Sequence, residues 1–169
     1  MITVDRAGRL ATRVGGELGV SDWISLSEAD IATFAAVTGD EHWLHTDPPR
    51  AARAAPFGGV IAHGFLALSL VTALSKQCYE VRSAVRWLNY GLDRIRFTAP
   101  LRPDQAVRLR LSLTDIQAAP DATRLTLHCV LETEASTIPV LVAEWIVLVF
   151  ESEREQRDGD GETETGDPR

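Results

Sequence analysis

Val60-Ile61-Ala62-His63-Gly64-Phe65-Leu66-Ala67-Leu68-Ser69-Leu70-Val71-Thr72-Ala73-Leu74 is the most apolar run of the chain. It falls short of the roughly 20 residues that a bilayer-spanning helix needs, and His63-Gly64 interrupts it, so it reads as a core helix and predicts no membrane insertion. Ile61, Phe65, Leu66, Leu68, Leu70, Val71 and Leu74 occupy nearly every face, which predicts a helix from Ile61 to about Gln77 with the rest of the fold wrapped around it.

On the C-terminal side of that helix the period changes. Val107, Leu109, Leu111 and Leu113 alternate with Arg108, Arg110, Ser112 and Thr114, and Leu125, Leu127, Cys129 and Leu131 repeat the pattern. Leu92, Ile95 and Phe97 also suit a strand, and Val140 to Phe150 reads as a long, central one. Turns are expected at Arg102-Pro103-Asp104, Ala119-Pro120-Asp121 and Thr137 to Pro139. On the N-terminal side, Glu17 to Ile24 suits a short strand. Ser27 and Asp30 form a capping-box pair before the helical spacing of Ile31, Phe34, Ala35 and Thr38, which Gly39 stops. Asp47-Pro48-Pro49 opens a short helix through about Arg53, and Pro56-Phe57-Gly58-Gly59 is a loop. Helices first and then about four consecutive antiparallel strands make an α+β domain with one long apolar helix lying on a sheet, and the hot-dog arrangement, a sheet wrapped around a central helix, is one of a few that fit this pattern.

The chain has 169 residues, 45% hydrophobic and 24% charged, with 12 Gly, 8 Pro and 2 Cys. That profile excludes collagen-like, disulfide-scaffold and wholly disordered chains. Residues 1–150 form the expected single domain. Residues 151–169 hold eight of the 24 acidic residues and no large apolar one, and are expected to be a disordered acidic tail. The net charge of −7 includes no basic block, so nucleic acid is not an expected partner. Cys78 and Cys129 lack metal-ligand spacing and are expected to be reduced. With no apolar signal segment in Met1 to Arg13, a cytoplasmic location is expected.

Ionisable residues crowd into Thr38-Gly39-Asp40-Glu41-His42-Trp43-Leu44-His45. Gly39 ends one helix and Pro48 restricts the backbone beside it, so the turn between them can bring the Asp40 carboxylate and the His45 imidazole to one point. Such a pair can hold and activate a water. Ile61-Ala62-His63-Gly64-Phe65 adds a helix N-terminus with unsatisfied N–H groups, where Gly64 permits close approach of a carbonyl: an oxyanion site. Taken singly, Asp40 reads as a turn residue and His45 as a buried histidine, His63 shapes the helix entry, and His42 is an exposed turn residue.

Phe34-Ala35-x-x-Thr38-Gly39-Asp40-x-x-x-x-His45-x-Asp47-Pro48, followed by Phe57-Gly58-Gly59-x-Ile61-Ala62-His63-Gly64, resembles the hydratase motif of the MaoC-like dehydratases, the (R)-specific enoyl-CoA hydratases. Asn89 to Phe97 resembles the family's strand after the central helix, and the likeness covers about Ser21 to Phe150. The resemblance implies a hot-dog homodimer that reversibly hydrates a trans-2-enoyl thioester to the (R)-3-hydroxyacyl thioester. It uses no cofactor, and coenzyme A or acyl carrier protein is present only as part of the substrate. By position, Asp40 and His45 match the catalytic pair and Gly64 the backbone donor to the thioester carbonyl. His63 adjoins that donor in the substrate-binding turn. Thr72 falls where some members carry a supporting Ser.

Many members have Asn-Pro where this chain has His42-Trp43. That change alters the turn and places Trp43 to narrow or line an acyl pocket. Phe57, Phe65, Trp87 and Trp145 are expected in the core or an interface, and Arg94, Arg96, Arg102 and Arg108 are candidates for coenzyme A phosphates. The alternatives are a hot-dog acyl-CoA thioesterase and a non-catalytic acyl-thioester-binding or partner subunit.

Overall fold

A computed structural model describes residues 1–152. Helix α1 (Glu28–Thr38) forms because its ends are satisfied locally. The Ser27 hydroxyl accepts from the Asp30 N–H while the Asp30 carboxylate accepts from the Ser27 N–H and hydroxyl, and Gly39 closes the C-terminus at φ 75°. A single turn, α2 (Trp43–Thr46), comes next. Asp47 then caps α3 (Pro48–Ala54) by accepting from the Arg50 N–H. Helix α4 (Gly64–Ser75) begins three residues later than its apolar run predicts. Ile61 to His63 are extended instead, because the Ile61 N–H donates to the Leu44 carbonyl and the Ala62 N–H to the Leu101 carbonyl.

The strands are β1 (Ile2–Val4), β2 (Glu17–Val20), β3 (Ile24–Ser25), β4 (Tyr79–Val81), β5 (Ala84–Phe97), β6 (Ala106–Ala119), β7 (Ala122–Thr133) and β8 (Ser136–Glu151). β1 pairs with β4 in parallel. The others form one antiparallel six-stranded sheet in the order β2-β6-β7-β8-β5, with β3 beside β6. The arrangement is hot-dog, α+β. Two details depart from expectation. β5 pairs with β8 rather than with its successor β6, so the chain crosses the domain after Phe97. The last hairpin turns at Glu134-Ala135, and Thr137 to Pro139 lie inside β8, where a register shift opposite Leu131/Thr133 accommodates a proline that has no N–H to pair.

Alternation in β6 and β7 sends Val107, Leu109, Leu111, Leu113, Leu125, Leu127, Cys129 and Leu131 into the core, all fully buried. There they meet Leu66, Ala67, Val71 and Leu74 of α4. The described residues do not wrap the helix on all sides: Phe65 is 70% exposed, and Trp87, Tyr90, Leu92 and Phe97 of the edge strand β5 are also open. Trp145, in contrast, is buried. Cys78 and Cys129 are buried free thiols, and burial pushes them up to about 11 and about 12 respectively, which leaves them unreactive.

Two contacts lock the periphery. Gly19 of β2 lies against the backbone of Cys78, so near that a Cβ there would stand 2.7 Å from the Cys78 carbonyl oxygen. On the outer face, Glu132 accepts from Arg108 at 2.8 Å and from Arg110 at 2.7 Å, Arg110 also pairs with Glu17, and the Arg108 guanidinium lies 4.5 Å over the Trp23 ring. These bonds tie β2, β6 and β7 together, and the two arginines hold the Glu132 carboxyl below the usual range. Glu151, assigned by composition to the tail, is the last residue of β8, and its carboxylate accepts from the Ala7 N–H and the Ser83 hydroxyl. The remainder of the expected tail, 153–169, lies outside the described residues. Among the described residues no helix is long and apolar enough to cross a membrane.

Candidate active site

The left-handed Gly39 ends α1 and turns the chain so that Asp40 leaves the helix axis, while α2 brings His45 back over the start of α4. Helix α2 has no counterpart among the elements expected from the sequence. Its one turn is held by the His42 ring nitrogen accepting from the Leu44 N–H and by the Thr46 hydroxyl donating to the Glu41 and His42 carbonyls, and no periodicity announces so short an element.

His45, His63 and Asp40 converge. The His45 Nδ1 lies 2.7 Å from the Ile61 carbonyl oxygen, and the His63 Nε2 lies 2.9 Å from the backbone carbonyl oxygen of Asp40. A carbonyl oxygen only accepts, so each of these nitrogens carries the proton in its bond. In neutral His45 the lone pair is therefore on Nε2, and in neutral His63 on Nδ1. The two rings stack with centroids 3.8 Å apart and planes 27° from parallel, and Phe34 packs 5.0 Å from His63. One Asp40 carboxylate oxygen and one ring nitrogen of each histidine lie within 4.8 Å of one another. Asp40 is exposed, His45 half-buried and His63 only 3% exposed.

Burial holds the His45 imidazole below the ordinary histidine value. The bond to the Ile61 carbonyl works the other way, neighbouring His63 lowers it further, and the Asp40 charge raises it. The result is a neutral base with one directed lone pair. The triad has the ligand types of a transition-metal site. Both imidazole lone pairs lie in nearly parallel ring planes, however, and a shared ion at about 2.1 Å from each nitrogen would require one ring to turn.

Gly64 opens α4 directly beside this cluster. His63 occupies the N-cap position but makes no side-chain cap, because its ring is committed to Asp40, and the first N–H groups of a helix have no partner within it. A Cβ on Gly64 would meet the Phe97 ring at 3.0 Å, so the glycine also permits the edge strand to close on the helix mouth.

Other expectations fare differently. Thr72 is placed further along the central helix. It lies two turns beyond Gly64, about 12 Å along α4, in a groove of about 270 Å³ shared with Asn89 and Trp145. A second groove of about 300 Å³ continues it past Ser75 and Trp87 to Tyr79. Trp43 lines neither groove; its ring sits under the Arg50 guanidinium at 4.5 Å and braces α2 on α3. The arginines expected to meet phosphate make bonds within the fold. Arg94 pairs with Glu144, Arg108 with Glu132, and Arg96 and Arg102 donate to the carbonyls of Ile95 and Gly58.

Residues 9–133 match the model of the MaoC like domain. The 3-hydroxyacyl-thioester dehydratase Z of Mycobacterium tuberculosis is 40% identical over 148 residues, covering 87% of this chain and 97% of that protein. Nodulation protein N of Rhizobium leguminosarum bv. viciae is 41% identical over 140 residues, covering 82% of this chain and 87% of that one. Among solved structures, an (R)-hydratase from A. caviae involved in PHA biosynthesis superposes with a TM-score of 0.61 at 25% identity, over 76% of this chain and 94% of that one. The spacing of Asp40, His45 and Gly64 thus sits inside a matching domain of the expected architecture, and the chain belongs to the MaoC-like dehydratase family.

Proposed function

We propose that the chain is an (R)-specific enoyl-thioester hydratase, acting reversibly on trans-2-enoyl and (R)-3-hydroxyacyl thioesters. The observation that carries this reading is His45, whose Nδ1 is pinned to the Ile61 carbonyl so that the lone pair is left on Nε2, in a ring with one nitrogen within 4.8 Å of an Asp40 carboxylate oxygen and close to the start of α4. A water held between the two residues gives one proton to His45 Nε2 and is oriented by Asp40 accepting its other hydrogen. Its oxygen adds at C3, the C2=C3 π pair moves toward the thioester oxygen, and the Gly64 N–H with the α4 dipole stabilises that developing charge. The proton taken up by His45 Nε2 is delivered to C2, which completes the addition and returns the base to its neutral form. No redox or metal cofactor enters this scheme; coenzyme A or acyl carrier protein is the substrate's handle.

Relatives named as a 3-hydroxyacyl-thioester dehydratase and an (R)-hydratase support the same chemistry. The test is loss of enoyl absorbance when purified protein meets a panel of trans-2-enoyl thioesters of varied chain length and carrier, with chiral analysis of the product. Addition without thiol release and an (R) product are expected. Thiol release with the enoyl band intact marks a thioesterase, and ligand binding without turnover marks a non-catalytic subunit.

The pH profile is set by the lowered proton affinity of His45. As a base it works only when unprotonated, so activity is complete above its pKa and is lost as pH falls through it. The acid limb of kcat/KM is expected to be centred below the ordinary value of about 6.5. A limb centred above pH 7 would contradict the assignment of this base.

The active form is proposed to be a homodimer. Among the described residues strand β5 pairs on one side only and exposes Val85, Trp87, Tyr90 and Leu92, beside an α4 face that these residues leave open. Light scattering at micromolar concentration should give twice the chain mass; a monomer under conditions of full activity would reject this.

A further inference from the structure

His63 holds a place that packing alone does not explain. It is nearly fully buried against the rings of Phe34 and His45, yet its Nδ1 has no hydrogen-bond partner among the described residues. An unpaired buried nitrogen is destabilising, and a phenyl ring would fill the same space without it. What the imidazole adds is the Nε2–H bond to the Asp40 backbone carbonyl, 23 residues away in sequence. Asp40 needs such an anchor. It comes after a left-handed glycine, it is exposed, and its own backbone N–H is held by a long bond of 3.4 Å to the Thr38 hydroxyl. The same ring stacks on His45, the residue that completes the pair.

We propose that His63 is a positioning residue: one hydrogen bond to the Asp40 backbone and one stacked face on His45 set the separation of carboxylate and base and tie both to the N-terminus of α4. This role rests on the reading of Asp40 and His45 as the reacting pair. His63 takes no proton in the reaction, because its free lone pair is on Nδ1, a buried atom with no hydrogen-bond partner among the described residues to hand it one.

The test uses the full-length protein and two substitutions. His63→Phe keeps ring volume and stacking but removes the donor, and His63→Gln restores an N–H donor without the ring. Misplacing a reacting group by about 1 Å can cost on the order of 100-fold in rate. His63→Phe is therefore expected to lower kcat by about 100-fold with KM changed less than about threefold, and His63→Gln to recover about tenfold of that loss. The melting temperature of His63→Phe should match or exceed that of the wild type, because the orphaned nitrogen is gone. In the wild type, the 15N resonances of His63 should report the proton on Nε2. A kcat for folded His63→Phe within about threefold of wild type overturns the proposal, as does a His63 proton on Nδ1. Equal losses in both variants, with both melting well below wild type, would show a merely structural residue and also overturn it. Should the wild type hydrate no enoyl thioester, the functional reading fails by itself. The tautomer spectrum, together with 15N relaxation of the 39–42 loop in His63→Phe, then decides the contact: Nε2–H and a loosened loop support it, and either one lacking refutes it.

Discussion

Turnover of an enoyl thioester is expected to fall about 10³-fold in His45→Gln, with the fold and the melting temperature retained, because a positioned general base contributes roughly 10² to 10⁴ in rate. The glutamine amide can still donate to the Ile61 carbonyl, so the local hydrogen bond at 2.7 Å has a replacement. It has no nitrogen lone pair of useful basicity, so the proton of the attacking water has nowhere to go. Asp40→Asn preserves shape, removes the charge that orients the water, and should lose activity on the same scale. The two act on one water, so the double variant should be slower than either single one by only a few-fold. Steady-state kinetics on the three proteins is the check, and kcat within about tenfold of wild type in folded His45→Gln would remove this histidine from the chemistry.

Gly19→Ala is the substitution with the largest expected effect on stability. The added methyl would lie 2.7 Å from the Cys78 carbonyl oxygen and 2.9 Å from its Cα, and both partners are backbone. A flexible side chain can swing away from such a contact. Here β2 is paired to β6, and the Cys78 carbonyl already accepts from the Ile2 N–H at 3.0 Å, so relief requires moving a strand. Overpacking of this kind costs about 3 kcal/mol or more. For a domain of this size that lowers the melting temperature by roughly 6–12 °C. Thermal unfolding monitored by circular dichroism would show it, and a shift under about 2 °C would mean that the sheet edge yields easily.

How much of the fold is legible in the sequence depends on how far apart the partners lie. The Ser27/Asp30 capping box, the Gly39 stop and the Asp47 cap are decided within four residues, and each stands where its local chemistry puts it. The inward alternation of β6 and β7 is equally local. The pairing of β5 with β8 is hidden, because strand order comes from closing a sheet over a helix and not from any one strand's pattern. The start of α4 is misplaced for a related reason: apolar side chains at Ile61 and Ala62 suit a helix, but their N–H groups find carbonyl partners in distant segments. At the site, motif spacing singles out Asp40, His45 and Gly64. The bond from His63 to Asp40 and the tautomers of both histidines depend on two backbone carbonyls, which no residue name reveals.

Those two carbonyls also decide how the site tolerates change. A peptide oxygen is an acceptor that survives any exchange of the side chain attached to it, so the orientation of both imidazoles is indifferent to which residue stands at position 61 or comes after position 40. Side chains in the turn between them can therefore change, and leave the hinges of both rings untouched as long as the backbone keeps its path.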